Sequence, residues 1–322
     1  MKKFLVLILT FVGINAMAQV MPDSTVQFVA NWTVGDSFKY DHSVVEYKIK
    51  GADTTEVKHR NELVAFEVID ATPTSYKLKA VPLEVTLSDE LENAINQLYV
   101  STFGDIALII TTDQHGSVTG CENAEEIVAN MKQLVEPMVD MMKDLTPADK
   151  KMVVDYLNQM YDNPNFAASL VEDYLPLFMF HGLRFGIDNV YEGEIEAPSF
   201  IPYVQTPLKL KTELVLRPEN VKEDYATPIF YTYSDENELM TIVNEALKGA
   251  FETTELDAAT LQLLMQQMST AKYTYQQTLA NQIHFATGIP VTFYLEQVIT
   301  AEMAEVLTTK VKQVSFTYIV EE

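Results

Sequence analysis

The chain has 322 residues, 48% hydrophobic and 21% charged, a globular composition long enough to bury one large core or two lobes. Its formal net charge of −24 repels phosphate backbones and anionic lipid head groups, which excludes nucleic acid as a partner. A single cysteine, Cys121, excludes an internal disulfide, so packing must hold the fold together.

Met1-Lys2-Lys3 precedes an apolar run from Phe4 to Val12, and Ala16-Met17-Ala18 supplies a small-x-small cleavage pattern. Residues 1–18 are therefore expected to be a signal peptide cut after Ala18, leaving Gln19 first. The run is too short to cross a bilayer core, which takes about 20 residues. No cysteine follows the cut to carry a lipid. Export, to the periplasm or beyond it, is the expectation, and the mature chain would hold 20 basic against 46 acidic side chains. No later run is apolar enough to span a membrane; residues 175–180 contain Pro176 and end at His181 and Gly182.

Residues 37–87 read as strands. Phe38, Tyr40, His42 and Val44 alternate with polar residues, and the apolar parity then moves to Val45, Tyr47 and Ile49, as a β-bulge would move it. Pro82 predicts an edge or a bulge in the third strand. Ser88 is placed to cap a helix striped by Leu91, Ile95, Leu98 and Tyr99, and residues 105–112 return as a strand. From 123 the period becomes helical. Asn123 with Glu126 has capping-box spacing, Pro137 predicts a kink, and Thr146-Pro147 and Asn163-Pro164 each predict a helix start. Strands resume with Leu208, Leu210, Leu214 and Leu216; helices are expected at 235–251 and 255–268, and three strands close the chain.

The fold class predicted is α+β: antiparallel, curved sheet packed on helices, with a three-helix insertion. The expected organisation is signal peptide 1–18, N-terminal β-rich half 19–120, helical insertion 121–185 and C-terminal β-rich half 186–322. Ser88-Asp-Glu90 and Ser234-Asp-Glu236 each follow a strand and open a helix. Each is later followed by a strand and a glycine corner, at Gly116 and at Gly288, which predicts an internal duplication.

The segment IITTDQHGSVTGCEN, residues 109–123, gathers Asp113, His115 and Cys121. As a metal site it lacks a short-spaced ligand pair, since His42, His59, His181 and His284 fall singly elsewhere. As a turn it is complete: Asp113 accepts local backbone bonds and Gly116 supplies positive φ. No nucleophile elbow, phosphate loop or calcium loop occurs, so no catalytic residue, metal or cofactor is assigned, and the chain reads more as a non-enzyme than an enzyme. Methionines concentrate in the helical insertion. Met131, Met138 and Met142, with Phe178 and Met179, are the candidate lining of an apolar groove, with burial in the core the preferred explanation of such stripes. Trp32 reads as an anchor for the N-terminal segment.

The Ala16-Met-Ala18 cut, the Val34-Gly-Asp36-x-Phe38-x-Tyr40 opening and the Thr287-Gly-Ile-Pro-Val291 strand together resemble exported bacterial proteins of unknown function with a periplasmic half-barrel pattern. In such proteins a curved antiparallel sheet wraps around helices and holds a lipid; the resemblance carries over no ligand residues. It implies a non-enzymatic binding protein of the envelope for an apolar or lipid-like ligand. Two alternatives are an interaction or envelope-assembly factor docking on an envelope protein through the helical insertion, and a hydrolase with dispersed carboxylates. The oligomeric state is not readable from the sequence.

Overall fold

The computed structural model describes residues 21, 23–143, 145–197, 207–235, 239–240, 242, 272–303 and 306–320. The expected signal peptide lies outside the described residues, as do most of the helix expected at 235–251 and all of that at 255–268.

The frame is one antiparallel sheet of long strands. β2 (Ser37–Lys50), β3 (Asp53–Thr72) and β4 (Ser75–Leu87) form a meander that continues into β5 (Leu108–Asp113) and β6 (Val118–Cys121). On the other side of β2 lies β15 (Val306–Ile319), followed in spatial order by β14 (Pro290–Met303), β13 (Lys272–His284), β12 (Ile229–Ser234), β9 (Leu208–Val215) and β8 (Val190–Ala197). A short ladder of β10 (Val221–Lys222) with β11 (Tyr225–Ala226) attaches to β13. The first and last long strands thus meet in the middle, and β2–β15 pairing joins the two halves of the chain. Off this sheet, β1 (Thr25–Gln27) pairs with β7 (Arg184–Gly186).

Alternation sets the buried face. Phe38, Tyr40 and His42 point inward from β2, opposite Phe66, Val64 and Glu62 of β3. Phe316 of β15 and Phe293 of β14 continue the His42 row. These side chains enclose Tyr174, Leu177, Phe178 and Phe180, so residues of many strands share one core with the chain that ends the helical region. Trp32 is 4% exposed there, against Phe38, Tyr76, Phe178 and His181, and it does anchor the N-terminal segment. A second, smaller core joins Leu208, Leu210 and Tyr275 to Leu239. The fold is therefore α+β, mostly antiparallel sheet.

The parity change in β2 has another cause than the bulge expected at Val44–Val45. Pairing runs unbroken through both residues to β3 and to β15, and the irregularity in the β2–β3 ladder falls at Lys48–Ile49. Val45, Tyr47 and Ile49 simply face the opposite side, where Tyr47 lies across from Val311 and Val311 across from Val298. The apolar face changes at Val44–Val45, where the register does not.

The helical region contains more breaks than the three helices expected. After α1 (Glu90–Phe103) come α2 (Ala124–Gln133), α3 (Val135–Met141), α4 (Pro147–Asp162), α5 (Pro164–Ser169) and α6 (Leu175–Phe178). Pro137 does not kink a continuous helix. The chain breaks at Leu134, and Pro137 occupies the first turn of α3, where its missing N–H would have no intrahelical acceptor anyway. Thr146 and Asp149 form a reciprocal capping box on α4, and Asn163 caps α5. Two expected caps are reassigned. Asp89, not Ser88, accepts the first free amides of α1, while Ser88 Oγ accepts from the His59 amide. Asn123 caps nothing; it accepts from the Ile109 amide and donates to the Ala107 carbonyl, clasping the start of β5.

The passages β4–α1–β5 and β12 to β13 pair alike, each returning strand lying beside the one before it. This shared order by itself does not establish a duplication.

Candidate ligand pocket

The corner at residues 113–117 is a turn stabilised by its own backbone. Asp113 Oδ1 accepts from the amides of His115 at 2.8 Å and Ser117 at 3.0 Å, and Gly116 has φ +98°. His115 Nδ1 stands 3.6 Å from the Asp113 carboxylate. Cys121 lies at the far end of β6, opposite Ile110, with its Sγ 3.3 Å from Asn123 Oδ1. Burial pushes its thiol pKa up, the reverse of what an activated nucleophile requires. Among the described residues no group of three or more His, Cys, Asp or Glu side chains is placed to hold a metal ion.

The Gly116 corner and the Gly288 corner converge on one extended segment. Ala30 N donates to the His115 carbonyl and Asn31 N to the Thr287 carbonyl. His181 is wedged between the two corners: its Nε2 lies 2.6 Å from the Gly288 carbonyl oxygen, and its own carbonyl accepts from Ser117 Oγ. Burial holds the His181 imidazole below its usual pKa, despite the carbonyls of Gly288 and Phe178. The neutral ring donating from Nε2 fits this site, and its work is architectural.

A concavity lies elsewhere, and its origin can be followed from the strand pairing. Strand β5 covers β4 only from Ser75 to Ala80. Beyond Ala80 the outer edge of β4 carries no described strand, and Pro82 sits there at a register shift between β3 and β4, as its missing amide donor would favour. Helix α1 leaves the end of β4 and doubles back across this notch, while α2, α3 and α4 close the other side. A cavity of about 370 Å³ remains between them. Val85 and Leu108 belong to its sheet side, Ile95 and Tyr99 to α1, Ile127 and Met131 to α2, and Leu134, Met138 and Tyr161 to the helices beyond. A second hollow of about 340 Å³ adjoins it, sharing Pro82, Val85, Asn96 and Ile106.

One wall of this apolar space is charged. Arg60 and Glu62 reach it from β3, with Asp173 and Tyr174 alongside. Glu62 is 2% exposed, and both of its oxygens are engaged: His42 Nδ1 lies 2.7 Å from Oε1, and an Arg60 terminal nitrogen lies 2.7 Å from Oε2. Tyr174 donates to Oε1 at 3.4 Å, and the second terminal nitrogen of Arg60 reaches Asp173 at 3.2 Å. Burial alone would raise the Glu62 pKa; the His42 hydrogen bond and the Arg60 charge outweigh it and hold the carboxyl below its usual range. Burial, reinforced by the Glu62 charge, drives the Tyr174 phenol far above its usual value, so it stays a proton donor. His42 stacks on Phe316 with ring centroids 4.0 Å apart. Its Nδ1–H donates to the carboxylate, and its Nε2, like Arg60 Nε, is buried with no partner among the described residues.

Of the five groove candidates, Met131 and Met138 line this cavity. Met142 is the residue that caps the C-terminus of α3, Phe178 is fully buried in the main core, and Met179 is 38% exposed at the surface. The five are thus not brought together. The sequence reading missed Arg60, Glu62 and Asp173. A signal for Glu62 existed: it occupies the inward parity of β3 that Val64, Phe66 and Val68 share, as His42 does after Phe38 and Tyr40.

No helix among the described residues is long and apolar enough to cross a membrane. No protein-family model matches the chain, and no curated protein matches it either. Solved structures align only loosely. A loop-deletion form of OmpT, an outer membrane protein of Vibrio cholerae, is 7% identical over 89% of this chain and 100% of that chain, with a TM-score of 0.24. OmpF of Salmonella typhi in complex with daunomycin is 9% identical over 87% of this chain and 78% of that one, at 0.21. Ail, the attachment invasion locus protein of Yersinia pestis, is 6% identical over 89% and 100%, at 0.13. Likenesses this loose carry neither fold nor function to this chain.

Proposed function

We propose that this is a non-enzymatic binding protein of the bacterial envelope that holds a small apolar molecule in the notch between β4, α1 and the helices beyond. The observation that carries the reading is the cavity of about 370 Å³, walled mostly by aliphatic and aromatic side chains and bounded on one side by the buried Glu62 with its half-buried partner Arg60. Pockets of roughly 300–1,000 Å³ with apolar walls and a few convergent polar groups are the usual form of small-molecule sites. The envelope assignment draws on the leader-like residues 1–18. Glu62 supports binding better than catalysis: it is held ionised, and both oxygens already have partners. A general acid needs a raised pKa and a free approach to substrate.

The test is occupancy by a neutral apolar fluorophore. N-phenyl-1-naphthylamine should bind the wild-type protein saturably with one equivalent. Ile95→Trp fills the cavity from a half-buried position on α1 and should weaken that binding at least tenfold with an unchanged circular dichroism spectrum. Wild-type protein that gives no saturable signal would overturn the reading.

A further inference from the structure

We infer that the ligand of this pocket is a neutral or cationic amphiphile and that anionic ones, fatty acids included, are selected against; the inference rests on the binding reading above. Among the described residues the lining carries one cation, Arg60, against three carboxylates, Glu62, Glu92 and Asp173, a charge of −2 at neutral pH. The cation is also committed. One terminal nitrogen of Arg60 is 2.7 Å from Glu62 and the other is 3.2 Å from Asp173, so both ends of the guanidinium fork that would grip an incoming carboxylate already hold one. An anionic head would have to displace Asp173 or approach Glu62, which is 2% exposed and cannot turn away into water.

The surroundings offer no relief, because the whole chain carries a net charge of −24 and its field repels an anion before it arrives. A hydroxyl, amine or quaternary ammonium head meets the opposite situation. Glu92 and Asp173 are exposed at the cavity and can accept hydrogen bonds from it or face its charge. The cavity is roughly two and a half times the ~150 Å³ that holds benzene. A tail of about ten carbons is therefore the right scale for a probe.

The experiment uses three ligands with the same ten-carbon alkyl tail: decyltrimethylammonium, 1-decanol and undecanoate, titrated calorimetrically into the full exported protein below their micelle or solubility limits. The ammonium and the alcohol should each bind at least tenfold more tightly than undecanoate. The double variant Glu92→Gln/Asp173→Asn changes only exposed positions, so its fold should persist, and it replaces the carboxylate on one end of Arg60 with a neutral amide that an incoming carboxylate can displace. It should lose most of this preference and gain at least tenfold in undecanoate affinity. Undecanoate binding to the wild type as tightly as the other two would overturn the selectivity while leaving the apolar site standing. Binding of none of the three would remove the site itself, and the selectivity with it.

Discussion

Glu62→Ala should cost about 3–5 kcal/mol of stability, the usual range when one member of a buried ionic network is removed and its partners stay behind. The residue left most exposed to this loss is His42. It is 1% exposed, its Nδ1–H would lose its acceptor, and its Nε2 already has no partner among the described residues. Arg60 would keep only the longer contact to Asp173. The complementary substitution separates stability from function. Replacing the whole set, His42→Phe, Arg60→Met and Glu62→Leu together, should leave stability within about 1 kcal/mol of wild type or raise it, because well-packed apolar side chains often match or outdo a buried ion cluster. Urea denaturation reads both, with the midpoint moving and the slope unchanged. A Glu62→Ala loss below about 1 kcal/mol would show that the cluster is solvated rather than buried.

The same carboxylate gives a pH dependence of definite sign. In the folded protein the Glu62 pKa is below its ordinary value of 4.5. The unfolded chain therefore takes up this proton first as pH falls. The stability that Glu62 contributes is fully present above pH 4.5 and is lost as the pH drops through the depressed folded value. Glu62→Gln should flatten the acid limb of the stability curve without changing its neutral plateau as much as Glu62→Ala does.

Gly288→Ala should destabilise the fold by about 3 kcal/mol or more, since it combines a left-handed backbone penalty of about 1–2 kcal/mol with a collision against backbone. Gly288 has φ +67°, and an added methyl would fall on the Val29 carbonyl oxygen, with the Val29 carbonyl carbon 2.8 Å and Ala30 Cα 3.1 Å away. None of these is a flexible side chain that could turn aside. Moving the corner would also pull the Gly288 carbonyl away from His181, the residue that ties it to the Gly116 corner. Gly35→Ala is the internal control. Gly35 has φ +95°, but nothing lies within 4 Å of the added methyl, so it should cost only the backbone penalty. Equal losses at the two positions would mean that the close approach at Val29 is relieved by a small shift of the corner.

Much of this architecture is legible in the sequence. Alternation marks most of the long strands, and the Thr146-Pro147 and Asn163-Pro164 starts of α4 and α5 are where those pairs predict them. The reading fails where a local signal has two physical origins. Val45, Tyr47 and Ile49 break the parity of β2 because the sheet exchanges its apolar face, which in one strand looks the same as a bulge. Asn123 has the type and spacing of a cap but holds a strand instead, since its nearest free amide and carbonyl belong to Ile109 and Ala107. The pocket was harder still. Its walls come from β3, β4, β5 and four helices between positions 60 and 174, and only their packing creates the gap. Periodicity assigns Met131, Met138 and Met142 to apolar faces, but it cannot distinguish a face against the core from one against a cavity. What it can reveal is a charge at an inward position, and Glu62 among Val64, Phe66 and Val68 is that mark.

The central claim is that the notch beside β4 is a binding site, and native mass spectrometry of the protein isolated from its own cell envelope tests it most directly. The account predicts a complex carrying one extra species of a few hundred daltons, removable by organic extraction and absent from Ile95→Trp prepared in the same way. Wild-type protein that emerges at its bare polypeptide mass, or an adduct that Ile95→Trp retains unchanged, would contradict it.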